Sequence, residues 1–220
     1  MFKKVWDIPT RLFHWLLVLL IAAAYVTAEF ELGDLDMTYH MYVGYSILTL
    51  VIYRILWGIL GSSSARFSDF IKSPKAVFSY IKSMHSSQPQ KYLGHNPAGG
   101  LMVVALLILI LMQATLGLFT TDDILVDGPL VHLASSSFVN FATSWHHTIF
   151  DILLIFIGLH ISAVFFYLLM KKENLIRPMI TGKKEKSHTP EGKDVSFVSP
   201  VFALILLAIA AVVVWFVVNQ

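Results

Sequence analysis

The order of apolar and polar positions divides the 220-residue chain into five long hydrophobic runs separated by short polar connections. Each run is long enough to span a bilayer as a helix, which takes roughly 20 apolar residues. The pattern places them at Arg11–Ala28, Met41–Leu60, Ala98–Phe119, Trp145–Met170 and Val198–Val218. Local signals agree with these starts. Pro9 precedes the first run, and Asn96-Pro97 and Ser199-Pro200 read as caps followed by a first-turn proline before the third and fifth. Between residues 62 and 94, Phe67, Phe70, Ile71, Val77, Phe78, Tyr80 and Ile81 interleave with Lys72, Lys75 and Lys82. That mixture predicts one or two short helices lying in the membrane interface, with a solvated loop as the alternative. Residues 183–195 are charged and contain Gly and Pro, and read as a linker.

Charge orients these elements. Lys3, Lys4 and Arg11 precede or open the first run, the region from Arg54 near the end of the second run through the following loop carries Arg54, Arg66, Lys72, Lys75, Lys82 and Lys91, and Lys171, Lys172, Arg177, Lys183, Lys184, Lys186 and Lys193 follow the fourth. Together these are all 16 Lys and Arg residues of the chain. The connections 29–40 and 120–144 carry none, and instead hold Glu29, Glu31, Asp34, Asp36, Asp122, Asp123 and Asp127. The positive-inside rule then puts the N-terminus in the cytoplasm and the C-terminus, beyond the fifth span, outside. A cleaved signal peptide ending at Val26-Thr27-Ala28 is the competing reading of the first run. The polar Trp6-to-Arg11 segment and His14 inside the run argue against it.

Composition closes off several chemistries. Hydrophobic residues make up 56% and charged residues 14% of the chain, with mean hydropathy +0.71, against roughly 25% charged in a soluble domain. This is the composition of an integral membrane protein, with nothing suited to nucleic acid. Cysteine is absent, which excludes iron–sulfur clusters, thiolate zinc sites, disulfides and covalently attached haem. The spans contain no chain of acids like that of a proton pump, since Asp151 is the one acidic residue well inside a span. Few charges line them, which also disfavours a transporter.

Histidines supply the candidate chemistry. His146 and His160 are fourteen residues apart in the fourth run. That is four turns at the 3.5-residue period, so both rings fall on one helix face, about 21 Å apart along the axis. His147 is about 220° out of phase with His160 and points away, which makes it interfacial. Depth sorts the remaining span histidines into two pairs: His14 with His160 toward the cytoplasm, and His40 with His146 toward the outside. Two nitrogens at one depth on opposite helices are what axial ligation of haem iron needs, and the chain offers that twice. Packing histidines are the alternative, disfavoured by the expense of four such rings in lipid. A compact zinc or di-iron site needs more ligands at one depth. His85, His95, His132 and His188 lie outside the spans and are expected to be solvated, with His95 a minor candidate for lining a quinone pocket. Arg54 is fourteen residues after His40 and is placed either to pair a haem propionate or to snorkel as a helix-end arginine. Gly44, Gly117 and Gly158 are candidates for making room for a flat porphyrin, or for plain helix packing.

Arg11-Leu12-Phe13-His14-Trp15, Tyr39-His40-Met41-Tyr42-Val43-Gly44, Ser144-Trp145-His146-His147 and Ile157-Gly158-Leu159-His160 resemble, in order and spacing, the four haem-ligand segments of the bacterial cytochrome b561 family. Asn174-Leu175-Ile176-Arg177 also fits, and the resemblance runs over about residues 5–180. That family is related to the b-type cytochrome subunits of nickel–iron hydrogenases. The resemblance implies an all-α integral membrane fold with a four-helix transmembrane haem-binding bundle over 1–180; the cytoplasmic linker over 181–197 and the C-terminal transmembrane helix over 198–220 are read from the chain's own pattern, and this fifth span departs from the four-helix core. The resemblance also implies two non-covalent haems b, one held by His14 and His160 and the other by His40 and His146. The expected function is electron transfer across the membrane between the quinone pool and a redox partner, either a basic periplasmic cytochrome c drawn to the acidic outer face or a larger redox subunit. The alternatives are superoxide oxidation coupled to quinone reduction, and a haem-bearing anchor for a hydrogenase- or dehydrogenase-like complex. The cation-free outer face would steer an anion such as superoxide poorly.

Overall fold

The computed structural model describes residues 1–30, 36–84, 90–122, 126–192 and 194–220; the side chain of Asp36 is also outside the description. The expectations that fall on Glu31, Asp34, His85, Asp123 and Lys193 therefore lie outside the described residues. Among the described residues there are eight α-helices: α1 (Ile8–Glu29), α2 (Asp36–Leu60), α3 (Phe67–Phe70), α4 (Pro74–Ser83), α5 (Pro97–Gly117), α6 (Ser136–Leu169), α7 (Ile176–Thr181) and α8 (Pro200–Val218). Five of them, α1, α2, α5, α6 and α8, are long and apolar enough to cross a membrane. The chain is an all-α, multi-pass membrane protein.

The helix starts follow from local chemistry. Asp7 caps α1, its Oδ1 accepting the Thr10 amide hydrogen at 2.8 Å, so Pro9 sits just inside the helix. Asn96 caps α5 by accepting from Gly99 at 2.8 Å, and Ser73 caps α4 by accepting from Ala76. Two helices start earlier than hydropathy indicates. α2 begins at Asp36, so His40 lies within the helix. α6 begins at Ser136, because Phe138, Phe141, Ala142 and Trp145 keep a helical period while Ser137, Asn140 and Ser144 lower the mean hydropathy. At 34 residues, α6 is about 51 Å long, well beyond a hydrocarbon core of about 30 Å.

The contacts fall into two compact units. The first comprises Met1–Leu12, Ile55–Leu106 and Phe156–Ala203. Here β1 (Phe2–Lys4) pairs antiparallel with β2 (Lys183–Glu185), inside the stretch that reads as a linker. The buried Lys184 bridges Glu173 at 2.7 Å and donates to the Tyr92 carbonyl at 3.0 Å. Gly182 ends α7 in the left-handed region (φ 77°), and its carbonyl accepts from the Val5 and Trp6 amides. A Cβ there would come within 2.8 Å of the Trp6 carbonyl oxygen, so the turn requires glycine. Asp7 Oδ2 accepts from Trp57 Nε1 at 3.2 Å, with both side chains buried. The helices expected between 62 and 94 are α3 and α4. Val77 is buried while Ile71, Phe78 and Ile81 are exposed, the distribution of a helix bedded in an interface.

The second unit comprises Phe13–Arg54, Leu107–Ile155 and Leu204–Gln220. Its core includes Leu48 of α2, Leu118 and Leu130 beyond α5, and Val214 of α8. Tyr25 of α1 stacks on Phe150 of α6 at 6.0 Å.

Replacing Asp7 by Ala removes a helix cap and the hydrogen bond from the buried Trp57 Nε1. The expected cost is about 1–3 kcal/mol, read as a lower unfolding midpoint in detergent. An unchanged midpoint would contradict the assignment of Asp7 as the clamp between α1 and α2.

Candidate functional site

His40 and His146 come together in the second unit. Their ring centroids are 6.3 Å apart with planes at 81°. Each ring is half-buried and pinned at Nδ1 by a backbone carbonyl of a neighbouring helix. His40 Nδ1 donates to the Ala24 carbonyl of α1 at 3.0 Å, with Thr27 Oγ1 at 3.3 Å. His146 Nδ1 donates to the Gln113 carbonyl of α5 at 3.0 Å. A carbonyl only accepts, so both Nδ1 atoms carry the hydrogen and both Nε2 atoms keep a lone pair for a metal or a donor.

Three residues around this pair were not singled out from the sequence. Gln113 donates its side-chain Nε2 to His146 Nε2 at 3.1 Å, while its Oε1 is buried without a hydrogen-bond partner. Thr27 is buried and bonds back to the Ala23 and Ala24 carbonyls, holding the α1 segment that faces His40. Ala24 contributes only its carbonyl. The available signal was polarity: Gln113 is a lone amide inside the most uniformly apolar stretch of α5. Gly117, which was singled out, faces the ring of His146. A Cβ at this position would lie 3.0 Å from His146 Cε1. Gly44 and Gly158 face open space.

The other predicted residues are placed as follows. His147 is exposed, its ring 6.2 Å from that of His146, in keeping with the phase argument. His14 is half-buried, edge-on to Trp15 at 4.9 Å, and belongs to the second unit; His160 is half-buried and belongs to the first. Arg54 is 2% exposed, with its guanidinium 6.0 Å from the Phe13 ring, so it does not snorkel to solvent. His95 departs from the expectation of a solvated loop histidine. It is half-buried between Trp6, in the segment joining β1 to α1, and Phe70 of α3, with both rings at 4.8 Å. His132 is exposed and His188 half-buried. Of the outer acids, Glu29, Asp122 and Asp127 are exposed.

A second polar cluster lies in the first unit. Tyr80 of α4 and Tyr167 of α6 share a short hydrogen bond between their hydroxyls, and Asn96 Nδ2 donates to Tyr167 at 3.0 Å. The Tyr92 ring is 5.5 Å from that of Tyr80. Burial, then the Tyr167 hydroxyl, pushes Tyr80 far above the ordinary tyrosine range, and burial raises Tyr92 as well. Both phenols stay protonated at neutral pH. Tyr167 is seven residues beyond His160 and so shares its helix face, a periodicity that makes the cluster findable in the sequence.

Among the described residues no group of three or more His, Cys, Asp or Glu side chains is arranged to hold a metal ion. His40 and His146 bring two imidazole rings to one place. With metal–imidazole bonds of about 2.0–2.1 Å, two rings ligating one metal from opposite sides have centroids about 6.4 Å apart, close to the spacing seen.

Comparison with known proteins identifies the family. Probable Ni/Fe-hydrogenase B-type cytochrome subunits of Azotobacter chroococcum and Azotobacter vinelandii are each 24% identical over 211 residues, covering 81% of this chain and 86% of theirs. The corresponding protein of Bradyrhizobium diazoefficiens is 24% identical over 215 residues, covering 82% of this chain and 85% of its own. No solved structure matches the chain. Residues 5–182 match the family described as prokaryotic cytochrome b561, and with its spanning helices and histidine pair the chain belongs to that family of membrane b-type cytochromes.

Proposed function

We propose that the protein is a dihaem cytochrome that moves electrons across the bacterial inner membrane between the quinone pool and a redox partner. The observation that carries this reading is the His40–His146 pair, with both rings pinned through Nδ1 and 6.3 Å apart. The residues present fit a bis-histidine haem. The donor atoms are neutral imidazole nitrogens, the two rings are close enough that both would hold one iron, and Gly117 leaves room for the His146 ring. The bound haem supplies one-electron chemistry, its potential set by axial ligation and burial. The chain's own part is to hold each ring in one tautomer and orientation, through the Ala24 and Gln113 carbonyls, and to exclude water with the surrounding aliphatic side chains.

In this reading His14 and His160 hold the second haem, on the cytoplasmic side; the support is the fourteen-residue spacing on α6 and the matching depth in α1. Arg54, a buried cation fourteen residues after His40 on α2, pairs a propionate. The protein then divides into a dihaem domain over 1–180, a connecting segment over 181–197 and the C-terminal helix over 198–220. The distribution of Lys and Arg supports a cytoplasmic N-terminus and a periplasmic C-terminus.

The names of the curated relatives favour a second reading, in which the chain is the haem-bearing membrane subunit of a larger hydrogenase-like complex. It is compatible with the first, and co-purification with a redox subunit would distinguish a dedicated anchor from a relay serving a soluble basic cytochrome c. A superoxide oxidase stays third, because the exposed Glu29, Asp122 and Asp127 repel an anion.

His146→Ala is expected to lose one of two haems while His147→Ala keeps both, measured as haem b per purified polypeptide. The reverse result would overturn the ligand assignment. Gly117→Val pushes a methyl group into the His146 ring and is expected to lose the same haem, or to shift its midpoint potential while leaving the other unchanged. Two unaltered potentials in a redox titration would show that His146 is not a ligand.

A further inference from the structure

Asp151 is an anomaly that electron transfer does not use. It lies about 22 Å from the start of α6 and about 27 Å from its end, between the apolar residues Ile149, Phe150, Ile152 and Leu153. Its side chain is exposed and makes no hydrogen bond or ion pair among the described residues. Along the helix it is about 160° from both Ile149 and Leu153, which are buried, so it points away from the packed face. A carboxyl group facing lipid at mid-span is costly and calls for a partner. It is not alone there. Ser144, His147 and Thr148 are exposed and fall within about 60° of Asp151 on the helical wheel, as do the exposed Leu154 and Ile155. The outer half of α6 thus presents a polar ridge bordered by apolar residues, on the least enclosed of the five spanning helices.

We propose that this face binds a second copy of the chain, with His147 and Asp151 of each copy hydrogen-bonded to Asp151 and His147 of the other. The argument is self-complementarity. All copies insert with the same orientation, as the distribution of Lys and Arg dictates, so a closed pair must have its two-fold axis along the membrane normal. Such an axis sets α6 against α6 at equal depth. His147 and Asp151 are one turn apart, about 6 Å in depth, so each is within side-chain reach of the other's counterpart across a crossing helix pair. An imidazole and a carboxyl group satisfy one another, and the Ser144 and Thr148 hydroxyls add small polar contacts at the outer end. Dimer formation covers both Asp151 side chains without calling on any other protein.

The absence of cysteine makes the test direct. Single replacements Ser144→Cys and Ile155→Cys on the ridge, and Leu19→Cys on α1 and Ile108→Cys on α5 as exposed controls, are oxidised in native membranes. The ridge variants are expected to give a disulfide-linked species of twice the chain mass and the controls none. Adding Asp151→Leu to Ser144→Cys is expected to lower that yield about three- to tenfold, the range supplied by one polar contact between membrane helices, with haem content per chain unchanged as the check on folding. Cross-links equal in ridge and control variants, no cross-link at the ridge, or a cross-link to a polypeptide of a different mass would each overturn the proposal. So would a yield indifferent to Asp151→Leu in a variant that keeps its haem.

Discussion

The arrangement depends on how an imidazole is kept in an apolar helix bundle. A ring with two nitrogens carries an N–H that must be satisfied away from water, and here a helix backbone does so. His40 uses the carbonyl of Ala24, which also accepts from Thr27 Oγ1; His146 uses that of Gln113. The same bond that removes the desolvation penalty also fixes the tautomer, leaving Nε2 as the outward lone pair. Stability and ligand readiness therefore come from one interaction, which ties α2 to α1 and α6 to α5. Gly117 belongs to the same constraint, since the α5 backbone can approach His146 only where no Cβ intervenes.

In the first unit the packing is of a different kind. The first unit is held by polar clamps: Asp7 between the α1 start and Trp57, Gly182 receiving two amides from the N-terminal segment, and Lys184 between Glu173 and the Tyr92 carbonyl. These are the interactions expected where spanning helices emerge into the interface and backbone ends need partners. Their effect is to fasten β1, α7 and the loop before α5 to one another, which leaves α4 with its apolar side chains turned outward.

Much of this was legible in the sequence, for identifiable reasons. Spanning helices announce themselves by length, so all five were found; the placement of Lys and Arg is the argument for their polarity. The His40–His146 pair was legible because two independent periodicities, depth along α2 and phase along α6, met at one level; the exposure of His147 follows from the same phase. The early start of α6 was hidden because Ser137, Asn140 and Ser144 dilute hydropathy without breaking the helix. The β1–β2 pair was hidden because three-residue charged strands carry no pattern of their own. His95 read as solvated because its neighbours Trp6 and Phe70 are far away in the chain. Gln113 and Ala24 act through backbone carbonyls, which no side-chain motif records. Asp151 was visible as an acid in a span, but only its exposed position opposite Ile149 and Leu153 turns it from a curiosity into a surface feature.

The central claim is that one polypeptide holds two bis-histidine haems. The most direct measurement is haem b per chain in detergent-purified protein, by pyridine haemochrome, together with the dithionite-reduced spectrum. The account predicts two haems per chain with a low-spin α band. One haem would leave a histidine pair as packing, and none would contradict the account altogether.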